Sequence, residues 1–406
     1  MKENSISRRD FVKTLGIVGV GSMVGAGQAL AQSNAASTAA APMPIKLVKI
    51  STRPFGRTGV PVAILGPGGD FDIEANQIIL KQTLDWGATY WDTSGGSNGG
   101  RSERGIGMYL EKYPQVRRDV FLATKYDGGG MTQGLNQSLE RLKTDYVDLY
   151  FLHGLNNTTL LNDDLKSWVE KAKADRKIRF FGFSTHSNME NCLQEAAKLG
   201  WIDGIMLKYD FSLMHTDAMK AAMDAATKAG IGLTAMKTQS KSPIATETEA
   251  DLKLGGHFIQ RGFTQQQAKL KAVWENPQIT TICSQMPNTT ILQANIAAAL
   301  DKTSLTAADH AALREYAEAT QSRHCAGCTQ FCEAALNHRV PVGDVMRSLM
   351  YHRSYGDHEL ARTVFRQLPE TVRRGLAGFD CTAAEQACPH GLPVGQLMRE
   401  AGELFA

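Results

Sequence analysis

No long basic run and no strong surplus of one charge mark this sequence: 44 Lys plus Arg stand against 41 Asp plus Glu in 406 residues, a formal charge of +3. That balance lacks the electrostatic footprint of a nucleic-acid binder, so no nucleic-acid partner is expected. Long hydrophobic runs are missing as well. The charge-free stretch near the N-terminus, Thr14 to Ala31, is diluted with Gly, Ala and Ser and makes a poor spanning helix. Nor does a G-x-G-x-x-G follow the first strand-like run. Gly66-Pro67-Gly68-Gly69 has the wrong spacing, which argues against an open dinucleotide-binding sheet. What the chain does have is 43% hydrophobic and 21% charged residues, enough for one large core and a smaller companion. Such a composition excludes a disordered chain, a collagen and a small disulfide scaffold.

Ser7-Arg8-Arg9-Asp10-Phe11-Val12-Lys13 precedes the charge-free stretch, and Ala29-Leu30-Ala31 closes it with the small residues a signal peptidase accepts. Residues 1–31 resemble a twin-arginine export signal, which implies a periplasmic protein that crosses already folded and begins at Gln32 after cleavage. The bland reading is an Arg pair ahead of a buried helix. Residues 32–44, rich in Ala, Ser, Thr and Pro, read as a flexible linker.

Beyond the linker, strand-like and amphipathic helical runs alternate. Strands are expected at Val62–Leu65, Thr89–Asp92, Val120–Lys125, Val147–His153, Ile178–Phe183, Gly204–Tyr209, Gly232–Met236 and Thr280–Cys283. Helical runs such as Glu74–Leu84, Ser102–Glu111, Met131–Leu142, Asp163–Ala174, Met189–Leu199 and Asp217–Ala229 separate them. Eight such units predict an α/β protein with a closed (β/α)8 TIM barrel over residues 45–320, active at the carboxyl ends of its strands. Thr306–Thr320 reads as a closing helix, and 321–406 as a small helical, cysteine-rich domain holding five of the seven Cys.

Asp92, Lys125 and His153 stand at the ends of the second, third and fourth strands, where barrel chemistry belongs. Around them the chain resembles the aldo-keto reductases, from about Ile50 to Ala319. The matching pieces are Phe55-Gly56-Arg57-Thr58-Gly59-Val60, Trp91-Asp92-Thr93, Ala123-Thr124-Lys125, Asp148-Leu149-Tyr150-Phe151-Leu152-His153 and Phe181-Gly182-Phe183-Ser184. The resemblance implies reduction of a small carbonyl substrate, with Asp92, Lys125 and His153 as catalytic residues beside a Tyr whose acidity the Lys tunes. The chain departs from that pattern here: no Tyr lies between Asp92 and Glu103, where the loop reads Ser94-Gly95-Gly96-Ser97-Asn98-Gly99-Gly100-Arg101-Ser102. Tyr126 and Tyr209 are alternative donors, although strand alternation turns Tyr126 away from Lys125. Lys125 or His153 could also move the proton, and Asp92 with Lys125 could be only a buried ion pair.

The resemblance further implies NADP(H) contacts at Ser184, Tyr209, Lys237 and Asn295. Met206 replaces the usual Gln, and Cys283-Ser284-Gln285-Met286-Pro287-Asn288 offers no cation for a ribose phosphate. In the tail, Cys325, Cys328 and Cys332 have a C-x2-C-x3-C spacing, and Cys388 is followed by Pro389. Together they read as ligands of one [4Fe-4S] cluster, with Cys381 spare or an alternative ligand. A four-thiolate zinc site, or disulfides Cys325–Cys328 and Cys381–Cys388, would use similar sulfurs. Cys192 and Cys283 read as packed core thiols. The sequence thus points to an exported oxidoreductase that passes electrons through the cluster to or from a partner protein. The alternative is a noncatalytic barrel that binds a small molecule or a protein, with a structural cluster.

Overall fold

The computed structural model describes residues 48–214, 216–239, 248–321 and 325–405. The export signal expected over 1–31 and the linker over 32–44 lie outside the described residues. No helix among the described residues is long and apolar enough to cross a membrane.

A short antiparallel hairpin opens the fold, with Thr52–Pro54 (β1) against Pro61–Ala63 (β2). Eight parallel strands follow: Leu65–Gly68 (β3), Tyr90–Asp92 (β4), Phe121–Tyr126 (β5), Val147–Leu152 (β6), Ile178–Thr185 (β7), Gly204–Lys208 (β8), Gly232–Met236 (β9) and Ile279–Gln285 (β10). They close in the order β10-β3-β4-β5-β6-β7-β8-β9, which is the expected barrel.

The first strand differs from its expected position. The apolar run Val62–Leu65 splits, its front half joining the hairpin and only Leu65 entering the barrel. Gly66 and Gly68, which look like turn residues, are strand residues because the neighbouring strands crowd them. A Cβ on Gly66 would lie 1.8 Å from the Tyr90 carbonyl oxygen.

The hairpin turn carries Phe55 into the amino-terminal end of the barrel, where its ring lies against Gly204 and Gly232, the first residues of β8 and β9. A Cβ at Gly232 would stand 2.6 Å from that ring, so the two glycines make the space the plug fills. Gly232→Ala overpacks this end and is expected to lower unfolding free energy by about 1–3 kcal/mol in chemical denaturation.

Between β9 and β10 the chain adds helices at Glu249–Gln260 and Gln265–Trp274, each started by a reciprocal capping box, Thr248 with Asp251 and Thr264 with Gln267. Helix Ala307–Thr320 is capped in the same way by Thr306 and Asp309. After it the tail builds a core of its own from Val345, Leu349, Phe365, Leu376, Val394, Leu397 and Met398, carried on short helices.

Candidate active site

Alternation along the strands decides what enters the barrel mouth. On β5, Phe121 and Ala123 point into the interior, and Lys125 continues that face. Asp92 lies opposite Ala123 in register, which places its carboxylate diagonally below the Lys125 ammonium. On β6, Leu149 and Phe151 point inward, and His153 follows in the same phase.

Lys125 Nζ donates to both oxygens of Asp92, at 2.8 and 2.6 Å, and to the Thr93 carbonyl at 2.8 Å. Both side chains of the ion pair are 7% exposed. Burial alone would lower the Lys125 pKa, but the Asp92 charge and hydrogen bond, together with the Cys283 and Asp127 charges, outweigh it and hold the ammonium above its ordinary value. Cys283, which also faces inward, donates its thiol to Asp92 at 3.4 Å. Burial, and then the Asp92 charge, push that thiol well above its ordinary range.

His153 Nδ1 pairs with Asp127, a residue not singled out from the sequence. The other Asp127 oxygen accepts the Gly96 N–H at 2.7 Å, so one carboxylate fixes both the imidazole and the glycine-rich loop. Burial raises the Asp127 pKa, but the His153 hydrogen bond and charge prevail and set it below the usual range. Ser102 and Glu103 serve as braces. The Ser102 hydroxyl bonds that of Thr93 at 2.7 Å, and Glu103 accepts from Thr124 and Arg141, each at 2.6 Å.

The structure brings together neither phenol considered as the missing acid. Tyr126 donates to the Gly129 carbonyl, turned away as alternation requires. Tyr209 has the outward phase of Ile205 and Leu207, and its hydroxyl accepts from Asn276 at 2.9 Å. The inward residue is its neighbour Lys208, which the same alternation, counted from Met206, would have identified.

The other residues expected at a nicotinamide are likewise bound to protein groups. The Ser184 hydroxyl oxygen accepts the Gly154 N–H at 2.9 Å. Asn295 donates to Ser284 at 3.1 Å and accepts from Gln239 at 3.2 Å. Lys237, at a positive φ of 57°, donates to Tyr351 Oη at 3.0 Å and lies over the rings of Tyr351 and Tyr355. Asn295 and Lys237 thus donate within the protein, Ser184 and Tyr209 accept, and the segment Cys283–Asn288 carries no cation for a ribose phosphate.

Tyr351 and Tyr355 belong to the tail helix Val342–Tyr355, so the tail closes over the ends of β7 to β9. Its leading segment is tied down by Lys208 Nζ, which donates to the Cys325 carbonyl at 2.7 Å, and by the Asn188 N–H, which donates to the Gly327 carbonyl at 2.7 Å. A cavity of about 270 Å³ remains between tail and barrel, walled by His186, Lys208, Lys237, Arg347, Tyr355 and Cys325 among others.

Behind it, Cys325, Cys328, Cys332 and Cys388 line one small cavity with Val342, Met346 and Pro389. All seven cysteines are free thiols, so neither of the disulfides weighed above is present. Burial, then the neighbouring cysteines, push Cys328 and Cys332 up to about 12. Among the described residues, no three Cys, His, Asp or Glu converge tightly enough to hold a single metal ion. Cys381 is buried in the tail core and is not part of that cavity wall.

Residues 65–318 match the model of the aldo/keto reductase family. The chain belongs to that family. Among its relatives is "Aldo-keto reductase yakc [NADP(+)]" of Schizosaccharomyces pombe, 29% identical over 191 residues, 41% of this chain and 54% of that protein. L-galactose dehydrogenase of Arabidopsis thaliana is 26% identical over 160 residues, 34% of this chain and 49% of that one. The chain thus spans about half the length of these sequence relatives. The holo form of aldo-keto reductase AKR11C1 from Bacillus halodurans shares the fold with a TM-score of 0.55 at 22% identity, covering 66% of this chain and 96% of that one. An aldo/keto reductase of Klebsiella pneumoniae in complex with NADP and acetate has a TM-score of 0.53 at 22% identity, covering 66% of this chain and 96% of that one.

Proposed function

We propose that this member of the family is an oxidoreductase, exported by the twin-arginine route, that interconverts a small carbonyl compound and its alcohol. We further propose that Cys325, Cys328, Cys332 and Cys388 hold a [4Fe-4S] cluster through which a redox partner protein exchanges electrons. The observation that carries this reading is the sharing of Cys325 between two walls, that of the four-thiol cavity and that of the cavity between tail and barrel.

Four thiols around one cavity fit a cluster better than a single zinc, because each sulfur then meets a different iron and the four need not converge on one point. The raised pKa values of Cys325, Cys328 and Cys332 reflect burial first and then the charges around them, which metal charge relieves. When bound, such a cluster supplies a one-electron relay.

Reduction of a carbonyl adds two electrons, which the redox partner supplies, and two protons, one to the oxygen and one, from solvent, to the carbon. The three Lys125 protons are matched by three acceptors, Asp92 Oδ1, Asp92 Oδ2 and the Thr93 carbonyl, so Lys125 contributes a fixed positive field rather than a proton. His153 differs: Asp127 engages Nδ1 and leaves Nε2 as the atom that moves a proton to and from the substrate oxygen. With a viologen-type one-electron donor and a simple aldehyde, the purified full chain is expected to form the alcohol. His153→Gln should slow turnover about a hundredfold with little change in stability. Undiminished turnover in His153→Gln would contradict the assignment.

A further inference from the structure

Two ammonium groups in the cavity between barrel and tail donate to neutral partners. Lys208 and Lys237 end the adjacent strands β8 and β9 or follow directly on them, and both are half-buried. Their partners are a carbonyl, that of Cys325 at 2.7 Å, and a phenol, that of Tyr351 at 3.0 Å. Among the described residues no carboxylate stands at ion-pair distance from either Nζ. The other charges of the wall are matched or turned aside. Arg347 pairs with Asp344 at 3.2 Å, Arg353 pairs with Glu400, and Asp210 accepts the Ser212 N–H at 2.9 Å. Arg314 and Glu318 contribute one charge of each sign from the neighbouring helix.

Asp70 is the acid whose charge reaches Lys237, and burial holds its carboxyl above the ordinary range, which weakens it as a counter-ion. His186 adds a third unsatisfied group: its Nδ1 is buried in the wall with no hydrogen-bond partner among the described residues. A half-buried cation without a counter-ion is costly, and an unpaired ring nitrogen adds to that cost, so the wall is built for something negative that also bonds. The remaining surface is largely apolar, with Phe211, Met346, Leu349 and Leu392 on it. At about 270 Å³ the cavity is just below the range of roughly 300–1,000 Å³ typical of drug-sized ligands, a size that suits a small molecule.

We propose that this cavity binds a small monocarboxylate with a short apolar body, its carboxylate held by Lys208 and Lys237 with His186 donating a third hydrogen bond. The ligand then lies between Cys325 and the barrel mouth. This site goes beyond the functional reading and does not depend on it, since Asp92, Lys125 and His153 are not among the residues of the cavity wall.

Calorimetry on the full chain separates the two, because it measures binding without any redox step. The probes are benzoate and its neutral isostere benzamide. Benzoate is expected to bind, benzamide to bind at least about tenfold more weakly, and Lys237→Met to remove the preference, since the charge-assisted hydrogen bond is lost with the ammonium. Lys237→Arg, which keeps the charge and the contact with the two aromatic rings, should restore benzoate binding; this separates lost charge from a loosened tail. Equal affinity for the two probes, unchanged benzoate binding in Lys237→Met, or competitive displacement of benzoate by NADPH would each overturn the proposal. The last result would assign the lysines to a dinucleotide. Failure of carbonyl turnover with benzoate selectivity intact would count against the functional reading and leave this site standing.

Discussion

Replacing Lys125 by Met is expected to lower unfolding free energy by about 3–5 kcal/mol and to abolish turnover, the larger loss being that of a cation the interior has no other means of supplying. Asp92 would keep its Cys283 neighbour but lose two hydrogen bonds and the ammonium that donates them. The alkaline side provides a check with a definite sign. Because the folded state holds the Lys125 pKa above its ordinary value, the pair's contribution is complete below about pH 10.4 and is lost only as pH rises through the still higher folded value. Wild type should therefore keep this contribution across the neutral and mildly alkaline range. Lys125→Met should show a deficit throughout that range, seen as a lower midpoint in urea with an unchanged slope.

Cys388→Ser is expected to strip the metal from the chain, whereas Cys381→Ser should leave it in place. Both thiols lie in the same tail, seven residues apart in sequence, but only Cys388 reaches the wall shared with Cys325, Cys328 and Cys332. Cys381 packs in the tail core beside Ala384 and Leu397, where Ser keeps nearly the same volume. Iron per chain, determined on anaerobically purified protein, should fall from about four to near zero in Cys388→Ser and stay near four in Cys381→Ser. Iron lost from the Cys381 variant and kept by the Cys388 variant would transfer the fourth ligand to Cys381.

Much of the barrel was legible because β/α alternation is a long-range pattern written in local residues. Asp92, Lys125 and His153 could be placed at the mouth by strand position alone, and the structure puts Asp92 and Lys125 in contact. The same two-residue period held information that was passed over: it turns Tyr209 outward and Lys208 inward. Asp127 was missed because it lies one residue beyond β5, where no period applies and only the folded loop brings it to His153 and Gly96. The hairpin was missed because an apolar run does not show that it divides between two sheets; the division falls at Ile64, whose N–H donates to Ser51 beside the hairpin while its carbonyl accepts from Ile282 of the barrel.

The contact of Lys237 with Tyr351 spans 114 residues and joins two separately packed cores, so no local pattern could announce it. That contact also bears on the absent loop phenol. The tail brings Tyr351 and Tyr355 against a strand-end lysine, so the mouth of this barrel is finished by the tail rather than by the loop after Asp92.

Electron paramagnetic resonance of the dithionite-reduced full chain, together with iron, zinc and inorganic sulfide analysis, tests the central claim most directly. About four iron and four sulfide per chain, with the signal of one reduced [4Fe-4S] centre, is the predicted result. Stoichiometric zinc, or a metal-free chain with its tail thiols oxidised, would contradict it.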